Sequence, residues 1–311
     1  MALSKPRVAV VGAGAFGQNH VRVIRESQRA ELAGVADTGP SRDADLRDWR
    51  ELEGKADAAV VATPTTTHAD IGVGLLEMGL HVLVEKPIAH DMAAASRLIE
   101  AARANSRVLA VGHLERCNPA VQALRKEVTL PLFFEISRMS LFAPRSLDVD
   151  VVLDLMIHDI DIVLALTGKQ PEEVRAAGIR ILSDKVDIAN VRLAFPGGCV
   201  ANLTASRVST EKVRKLRLFQ PHQYVSIDYT RQDGVAISVN EDRQVAFRPL
   251  SIAKREPLAT QLDGFLDAIE TGVPPVVSGE EGAAALAVSM EILAKIEEHG
   301  AVVREALTGW K

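Results

Sequence analysis

Three glycines near the start of the chain have the spacing of a phosphate-binding turn. They lie at positions 12, 14 and 17, directly after the apolar run Val8–Val11 and before a helical pattern that begins near Asn19. In this setting the first glycine permits a tight turn, the second lets a pyrophosphate approach the backbone, and the third lets the helix pack closely on the strand. Glycines at this spacing also serve ordinary turns, but a strand before and a helix after them predict a dinucleotide site. Its residues are Gly12, Gly14, Ala15, Phe16 and Gly17.

An acidic residue lies where such a site needs one for the ribose of the cofactor. Asp37 ends the predicted strand 31–36 and follows Gly17 by twenty residues. A carboxylate at this position accepts hydrogen bonds from both ribose hydroxyls of NAD and repels the 2′-phosphate of NADP. The spacing therefore predicts NAD. NADP stays an alternative, because Ser41 and Arg42 follow closely and are able to accommodate a phosphate.

Short apolar runs alternate with helical patterns over the first hundred or so residues, and these elements must position the site. Such alternation predicts βαβ units and hence a parallel sheet with helices on both faces. The continuously apolar run Val8–Val11 is typical of a strand that is buried on both sides. The predicted strands span residues 7–11, 31–36, 58–62, 81–84 and 107–111.

The pattern changes after Gly112. A strand near 132–140 is followed by a succession of candidate strands between Val174 and Arg248 that are joined by short turns. Consecutive strands of this kind favour a mostly antiparallel sheet. Helical patterns span 119–126, 151–166 (ended by Gly168), 257–270 and 280–298.

These patterns predict an α/β protein with two domains. The first is a Rossmann parallel-sheet domain over residues 1–118, which binds the dinucleotide. The second is an α+β domain with a mostly antiparallel sheet over residues 119–311. The length of 311 residues allows two separate cores.

Bulk composition excludes several classes of protein. Hydrophobic residues at 47% and charged residues at 25% are typical of a globular chain, and a net charge of −5 gives no global reason to bind nucleic acid or an anionic membrane. No apolar run has the length and freedom from charge of a signal peptide or a membrane span, so we expect a cytoplasmic protein. The two cysteines are far apart and predict neither a disulfide framework nor a zinc site.

Two further segments give the chain a resemblance to a known family. Residues 63–68 follow the predicted strand 58–62, and the tripeptide Glu85-Lys86-Pro87 follows the strand 81–84. With the glycine motif and an acidic–histidine motif near residue 154, they resemble the Gfo/Idh/MocA oxidoreductases, whose Glu-Lys-Pro tripeptide is a signature. The resemblance covers essentially the whole chain and implies an NAD(P)-dependent dehydrogenase that acts on CH–OH groups. It adds Thr63, Pro64, His68, Glu85 and Lys86 to the cofactor site.

Three residues in these motifs have side chains suited to hydride removal from an alcohol. The reaction needs a group that takes the hydroxyl proton and a cation or donor that stabilises the oxygen. Lys86 follows the carboxyl end of a strand, where open α/β sheets bind ligands, and is predicted for the second task. Asp154 and His158 are four residues apart in a helical pattern and therefore share one face. The resemblance implies that the pair contacts substrate, with His158 as acid/base because histidine ordinarily titrates near pH 6.5, about neutrality.

The passage Gly112–Pro119 joins the two predicted domains. The resemblance implies that it lines the cleft, so His113, Arg116 and Asn118 are candidates for substrate contact. Arg116 is the predicted phosphate binder, because a planar guanidinium grips two oxygens at once. A metal site is not predicted, because the carboxylates at 154, 159 and 161 do not share one helix face.

The segment 145–153 lacks the glycine-rich lead that many family members have before the acidic–histidine helix. Together with the Glu115-Arg116-x-Asn118-Pro119 passage, it resembles the branch that includes UDP-N-acetylglucosamine 3-dehydrogenases. This implies oxidation of a sugar hydroxyl to a ketone, at C3 of UDP-N-acetylglucosamine or a related nucleotide sugar. The resemblance to the family also implies that domain 119–311 binds substrate and pairs subunits through the open face of its sheet into a homodimer or homotetramer. A group of arginines is expected near the entrance of the second domain to hold the diphosphate: Arg116, Arg138, Arg145 and Arg207.

Two alternative functions stay open. The same residues are able to oxidise a free sugar or an inositol-like polyol, and a fold of this kind also occurs in non-catalytic NAD-binding regulators. Lys86, Asp154 and His158 argue against the regulator, because a pure binding module has no need of acid–base groups.

Overall fold

The computed structural model describes residues 5–39, 43–142, 149–240 and 242–308. The strands are β1 (Arg7–Val11), β2 (Glu31–Ala36), β3 (Ala58–Val61), β4 (His81–Glu85), β5 (Leu109–Gly112), β6 (Phe133–Leu141), β7 (Glu173–Ile179), β8 (Ile188–Ala194), β9 (Val200–Ser209), β10 (Val213–Gln220), β11 (Gln223–Asp228), β12 (Asp233–Val239) and β13 (Val245–Pro249). The α-helices are α1 (Ala15–Glu26), α2 (His68–Glu77), α3 (Met92–Ala104), α4 (Pro119–Glu127), α5 (Ile157–Thr167), α6 (Pro257–Thr271) and α7 (Gly279–Thr308). Among the described helices, none is long and apolar enough to cross a membrane.

The chain forms two compact units. One contains Met1–Cys117 and Arg255–Leu286, and the other contains Asn118–Lys254 and Ala287–Lys311. The division predicted from the sequence, 1–118 and 119–311, does not include this return of Arg255–Leu286 to the first unit. The return has a simple physical reason. One face of α6, formed by Leu258, Leu262, Phe265 and Leu266, is buried in the core that contains β1.

A parallel sheet of five strands forms the centre of the first unit, in the order β2-β1-β3-β4-β5. The predicted parallel sheet is therefore confirmed. Val8, Ala9 and Val10 have no exposed surface, as expected for a strand covered on both faces. The strand order reverses at β1 and β3, and ligands of open α/β sheets bind beyond the carboxyl ends of the strands at such a point. Gly12 and Thr63 lie close to those two strand ends.

The second unit contains a sheet of eight strands, in the order β13-β12-β11-β10-β6-β9-β8-β7. Every neighbouring pair is antiparallel except β6 and β9. The predicted mostly antiparallel sheet is confirmed. Along β8 and β9 buried residues alternate with more exposed ones, so one face of the sheet is covered and the other is open.

The helix that carries the acidic–histidine motif begins with a wider turn than the sequence predicts. Val152–Met156 is a π-helical turn, in which the Ile157 N–H donates to the Val152 carbonyl oxygen. Regular α-helix follows as α5 and ends at Gly168, whose φ of 64° is left-handed. Single π-helical turns within helices occur frequently at functional sites.

Candidate active site

The glycine-rich turn has the shape of a phosphate cradle. Gly12 has a φ of +97°, and a Cβ on Gly17 would lie 1.8 Å from the Gly12 carbonyl oxygen, so neither position accepts a side chain. A Cβ on Gly14 would meet open space within 4 Å. Gly14 is also the N-cap of α1, and no side chain caps that helix end. The N–H groups at this helix start, which include those of Ala15 and Phe16, are therefore candidates to bind a pyrophosphate, and Gly14 leaves room for its approach.

Asp37 lines a cavity of about 510 Å³ beside this turn. Its carboxylate oxygens accept hydrogen bonds from the Ala13 N–H at 2.5 Å and the Gly39 N–H at 2.7 Å. A carboxylate has about four acceptor sites, so capacity for ribose hydroxyls is left on both oxygens. Thr63 and Pro64 line the same cavity. The position of Asp37 fits the role that the sequence predicts for it.

The cavity wall contains basic and aromatic residues that sequence reasoning missed. Arg47, Trp49 and Arg50 line it, with the Arg50 guanidinium 4.4 Å from the centre of a Trp49 ring. An Arg47 Nη1–H donates to the Gly39 carbonyl oxygen at 2.8 Å. The only signal in the sequence is a tryptophan in a polar segment after β2. Ser41 and Arg42, predicted to accommodate a phosphate, lie outside the described residues.

His68 is buried, with both ring nitrogens close to backbone carbonyl oxygens. Nδ1 lies 2.9 Å from the Pro87 oxygen and Nε2 lies 2.9 Å from the Thr63 oxygen. Burial lowers the pKa of the imidazole, although the hydrogen bonds to Thr63 and Pro87 oppose this. His68 thus ties the loop after β3 to the turn after β4. We expect it to shape the cofactor pocket through these loops and not to contact the cofactor with its ring nitrogens.

The turn after β4 carries Glu85, Lys86 and Pro87. The Glu85 side chain points into the unit, where its Oε1 lies 2.8 Å from Nε2 of His20 on α1. Lys86 is partly exposed at the carboxyl end of β4. Glu85 was predicted to belong to the cofactor site. Because it is only 8% exposed, we expect it to support the turn from below and not to contact the cofactor. The role of His20 was not predicted. Its indication in the sequence is that a polar residue falls on the apolar face of α1.

His113 directly follows β5, next to the strand end that precedes Lys86. The side chain is buried. Burial, with further contributions from the positive charges of Lys86 and Arg116, lowers the pKa of His113 to about 3. The imidazole is therefore neutral at physiological pH. A neutral imidazole has one N–H donor and one acceptor nitrogen.

The structure corrects the expected role of Arg116. Its side chain is buried, and Nη2 donates to Oε1 of Glu281 at the start of α7. Glu281 Oε2 also accepts a hydrogen bond from the Ser278 N–H at 2.9 Å. The guanidinium thus holds the passage after β5 against α7. A phosphate would have to compete with this ion pair for Arg116.

Asn118 is likewise committed to the protein backbone. Its Oδ1 accepts a hydrogen bond from the Ala120 N–H at 3.0 Å and caps α4, while Nδ2 donates to the Tyr229 carbonyl oxygen at 3.1 Å. The residue is 3% exposed. Asn118 is therefore a structural link in the second unit, and its predicted contact with substrate would have to share an amide that already bonds the chain.

Asp154 and His158 lie at the start of the acidic–histidine helix. Asp154 belongs to the π-helical turn and His158 to the first turn of α5. Both side chains are partly exposed, whereas Met156, Ile157 and Asp159 are buried. Asp159 forms an ion pair with Arg138, with Arg138 Nε and Nη2 each 2.7 Å from a carboxylate oxygen. The helix is thus anchored by Asp159 immediately beside His158.

The expected arginine group does not form an entrance for a diphosphate. Arg138 is 1% exposed and Arg207 is 6% exposed. Arg207 Nε donates to Asp187 at 2.8 Å, and its Nη1 donates to the Val149 carbonyl oxygen at 2.6 Å. These guanidinium groups neutralise buried carboxylates in the second unit. Arg145 lies outside the described residues. Among the described residues, no group of three or more His, Cys, Asp or Glu side chains is arranged to hold a metal ion.

Comparison with protein families gives two matches. Residues 6–113 match the model of an oxidoreductase family with an NAD-binding Rossmann fold. Residues 137–222 match the model of the Gfo/Idh/MocA C-terminal domain.

Comparison with individual proteins gives similar results over nearly the whole chain. UDP-N-acetylglucosamine 3-dehydrogenase of Acidithiobacillus ferrooxidans is 36% identical over 94% of this chain and 97% of its own length. A crystal structure of that enzyme covers 96% of this chain and 99% of its own, with a TM-score of 0.89 at 34% identity. Myo-inositol 2-dehydrogenase of Thermotoga maritima is 25% identical over 97% of this chain and 100% of its own length.

Proposed function

Because the chain belongs to the Gfo/Idh/MocA family of NAD-binding oxidoreductases, we propose that it oxidises a sugar hydroxyl to a ketone with NAD. The proposed substrate is UDP-N-acetylglucosamine or a related nucleotide sugar, oxidised at C3. The observation that carries this proposal is the 36% identity, over 94% of the chain, to a UDP-N-acetylglucosamine 3-dehydrogenase. The dehydrogenase relatives and the acid–base residues favour an enzyme over a regulator.

The residues of the first unit fit a dinucleotide. The start of α1 with Gly12, Gly14 and Gly17 would hold the pyrophosphate, and Asp37 would accept hydrogen bonds from the ribose hydroxyls. Thr63 and Pro64 would bound the same cavity. The nicotinamide of bound NAD supplies the hydride acceptor. NAD is proposed over NADP because the Asp37 charge repels a 2′-phosphate.

The chemical step needs a proton acceptor and a donor for the substrate oxygen. His158 takes the proton of the substrate hydroxyl while a hydride leaves the carbon that bears this hydroxyl. The protonated imidazole then releases the proton to solvent. Lys86 donates a hydrogen bond to the oxygen and stabilises its negative charge while the carbonyl forms. Asp154, on the same side of the helix, binds a neighbouring hydroxyl and favours the imidazolium. His113 is proposed to contact the sugar because the family resemblance implies it.

A substrate panel tests the proposal directly. The protein is incubated with NAD and, separately, UDP-N-acetylglucosamine, other nucleotide sugars, glucose and myo-inositol, and NADH absorbance is followed. A carbonyl trap or an aminotransferase is included, because a 3-keto sugar is an unfavourable product. We expect turnover with UDP-N-acetylglucosamine and position-3 oxidation in the trapped product.

Two outcomes of this panel would contradict the proposal. Turnover of myo-inositol alone would assign the chain to the polyol dehydrogenases that it also resembles at 25% identity. Tight NAD binding with no turnover of any substrate would favour the regulator.

Variants at the catalytic residues test the roles within the site. Lys86→Met and His158→Ala are each expected to keep NAD binding and thermal stability while the rate falls by about 10²–10⁴-fold, the usual contribution of an acid–base group. The exposed residues Lys55 and His90 offer matched controls, Lys55→Met and His90→Ala, which should keep the wild-type rate. Near-normal rates in both catalytic variants would show that the roles are assigned wrongly.

We further propose that the protein is a homo-oligomer that pairs through the open face of the second unit's sheet. A row of apolar residues crosses five neighbouring strands in register: Phe133, Phe219, Tyr224, Ile237 and Phe247. The Phe219 and Tyr224 rings are 5.0 Å apart, and Phe247 is 71% exposed. Contiguous exposed apolar surface of this kind is typical of an interface.

A further inference from the structure

A buried hydrogen bond connects the helix that follows the glycine-rich turn with the turn that carries Lys86. His20 lies on α1, three residues after Gly17, and its Nε2 is 2.8 Å from Glu85 Oε1. The side chains of His20 and Glu85 are 5% and 10% exposed. The Phe16 ring packs edge-on against His20 at 5.4 Å. We propose that His20 is a positioning residue that acts through Glu85 to set the geometry of Lys86; this rests on the proposed function of Lys86.

The Glu85 carboxylate has little freedom to move. Gly112 at the end of β5 packs so closely that a Cβ there would lie 2.7 Å from the carboxylate. The second oxygen, Oε2, accepts a hydrogen bond from the Lys86 N–H at 3.3 Å. A buried carboxylate that loses a partner is strongly destabilised, so the pair with His20 fixes where this carboxylate sits. The backbone at Lys86 is fixed with it.

Support of Glu85 reaches Lys86 through the backbone. Glu85 is the last residue of β4, and Lys86 is the first residue after the strand. Glu85 points toward α1, and Lys86, one residue later, is partly exposed at the sheet edge. Fixing Glu85 therefore fixes the Cα position of Lys86 and leaves its ammonium group unobstructed.

The far side of the same turn is held independently. His68 contacts the Pro87 carbonyl oxygen with Nδ1 and the Thr63 oxygen with Nε2, each at 2.9 Å. The Lys86 turn is thus attached on one side to the helix that would bind the pyrophosphate and on the other to the loop that bounds the Asp37 cavity. A displacement of about 1 Å in a reacting group is able to cost about 10²-fold in rate. Loss of one attachment is therefore expected to reduce catalysis more than cofactor binding.

Kinetics of three variants test the inference with UDP-N-acetylglucosamine and NAD. We expect His20→Ala to lower kcat by about 10–100-fold while KM and the NAD dissociation constant change by less than about threefold. His20→Gln should recover most of the rate, because its amide N–H is able to donate to Glu85. His81→Ala is the matched control: His81 Nδ1 accepts the Val108 N–H at 3.0 Å in the same unit. It should alter thermal stability without altering kcat.

A double-mutant cycle separates positioning from general destabilisation. If His20 acts through Lys86, His20→Ala should add little to the rate loss of Lys86→Met. Additive losses, or a kcat that falls as far in His81→Ala as in His20→Ala, would overturn the inference. Full activity in Lys86→Met would instead overturn the proposed catalytic role. A loss of rate in Lys86→Met, together with normal rates in every His20 variant, would overturn only the positioning role of His20.

A chemical measurement makes the test independent of the substrate. The rate at which an amine-acetylating reagent labels Lys86, relative to exposed Lys55, is measured by peptide mass spectrometry. His20→Ala should change this ratio several-fold, and His81→Ala should leave it unchanged. An unchanged ratio in His20→Ala would contradict the positioning role, whatever the substrate.

Discussion

At the scale of single residues, Asp37 both supports the backbone and lines the cavity. Its carboxylate holds the glycine-rich turn through the Ala13 N–H and its own loop through the Gly39 N–H, and it also faces the cavity. The turn and the proposed ribose site therefore depend on one side chain. Arg47 and Arg50 in the same wall bring positive charge that partly offsets the Asp37 carboxylate.

Asp37→Ala should change the cofactor preference. NAD affinity is expected to fall about tenfold or more, because hydrogen bonds to a charged acceptor each contribute about 1.5–3 kcal/mol. NADP affinity should fall less, because the repulsion of the 2′-phosphate disappears with the charge. Calorimetric titration of both cofactors measures this. Asp48→Ala, which removes another carboxylate from the same wall, is the control and should not discriminate between them. A wild-type preference for NADP would show that Arg47 and Arg50 outweigh Asp37.

His113 should make the stability of the protein depend on pH. Its pKa in the folded protein is lowered to about 3, whereas an unfolded histidine titrates at about 6.5. Between these values the unfolded chain binds more protons, so stability is complete above about pH 6.5 and declines as the pH falls toward about 3. His113→Phe should reduce this dependence by up to about 1.4 kcal/mol per pH unit. Urea unfolding at several pH values from 7.5 to 4.5 measures the slope, with the exposed-site variant His90→Gln as control. An identical slope in wild type and His113→Phe would contradict the assignment.

At the scale of elements, the start of the acidic–histidine helix is tied to the sheet by one buried carboxylate. Asp187 accepts hydrogen bonds from the N–H groups of Ile181, Leu182 and Ser183 and from Arg207. Burial raises the pKa of Asp187, but these hydrogen bonds outweigh it and hold the pKa below its usual range. Arg207 in turn donates to the Val149 carbonyl oxygen, just before the π-helical turn.

Asp187→Asn is expected to destabilise the protein strongly. It leaves a buried arginine without its counter-charge, which typically costs about 3–5 kcal/mol. Glu173→Gln is the matched control on β7, because its ion pair with Arg175 is exposed and such pairs contribute at most about 1 kcal/mol. Denaturant unfolding curves of both variants measure the difference. Equal, small effects would show that the network is not a main support of the helix.

The elements themselves were predictable because their signals are local. The apolar run Val8–Val11 indicates a buried strand, and Gly168 indicates a helix end. The π-helical turn has no such signal, because a wider turn and a regular one share the same apolar pattern. The true roles of Arg138 and Arg207 were not predictable either, since Asp159 and Asp187 reach them only in the folded chain. The same applies to His20, whose partner Glu85 is 65 residues away.

At the scale of the whole molecule, the row of apolar residues on the open sheet face should control the assembly of subunits. Phe247→Ser removes the most exposed member of the row and is expected to shift the oligomer toward monomer, measured by sedimentation velocity over a range of concentrations. Val302→Ser on α7 is the control, because Val302 is also well exposed but lies outside the row. A wild-type monomer at every concentration, or an unchanged oligomer in Phe247→Ser, would contradict the proposed interface.

The return of α6 to the first unit has a consequence for biosynthesis. Four of the buried core side chains of that unit lie on α6, so they leave the ribosome well over a hundred residues after β5. At a synthesis rate of about 5–20 residues per second, the nascent Rossmann sheet waits about 7–30 seconds with this part of its core uncovered. During that interval the exposed apolar surface is a site for chaperone binding or for association between neighbouring nascent chains. The late helix thus delays completion of the first unit until the strands of the second unit have been synthesised, although the sheet of the first unit is encoded first.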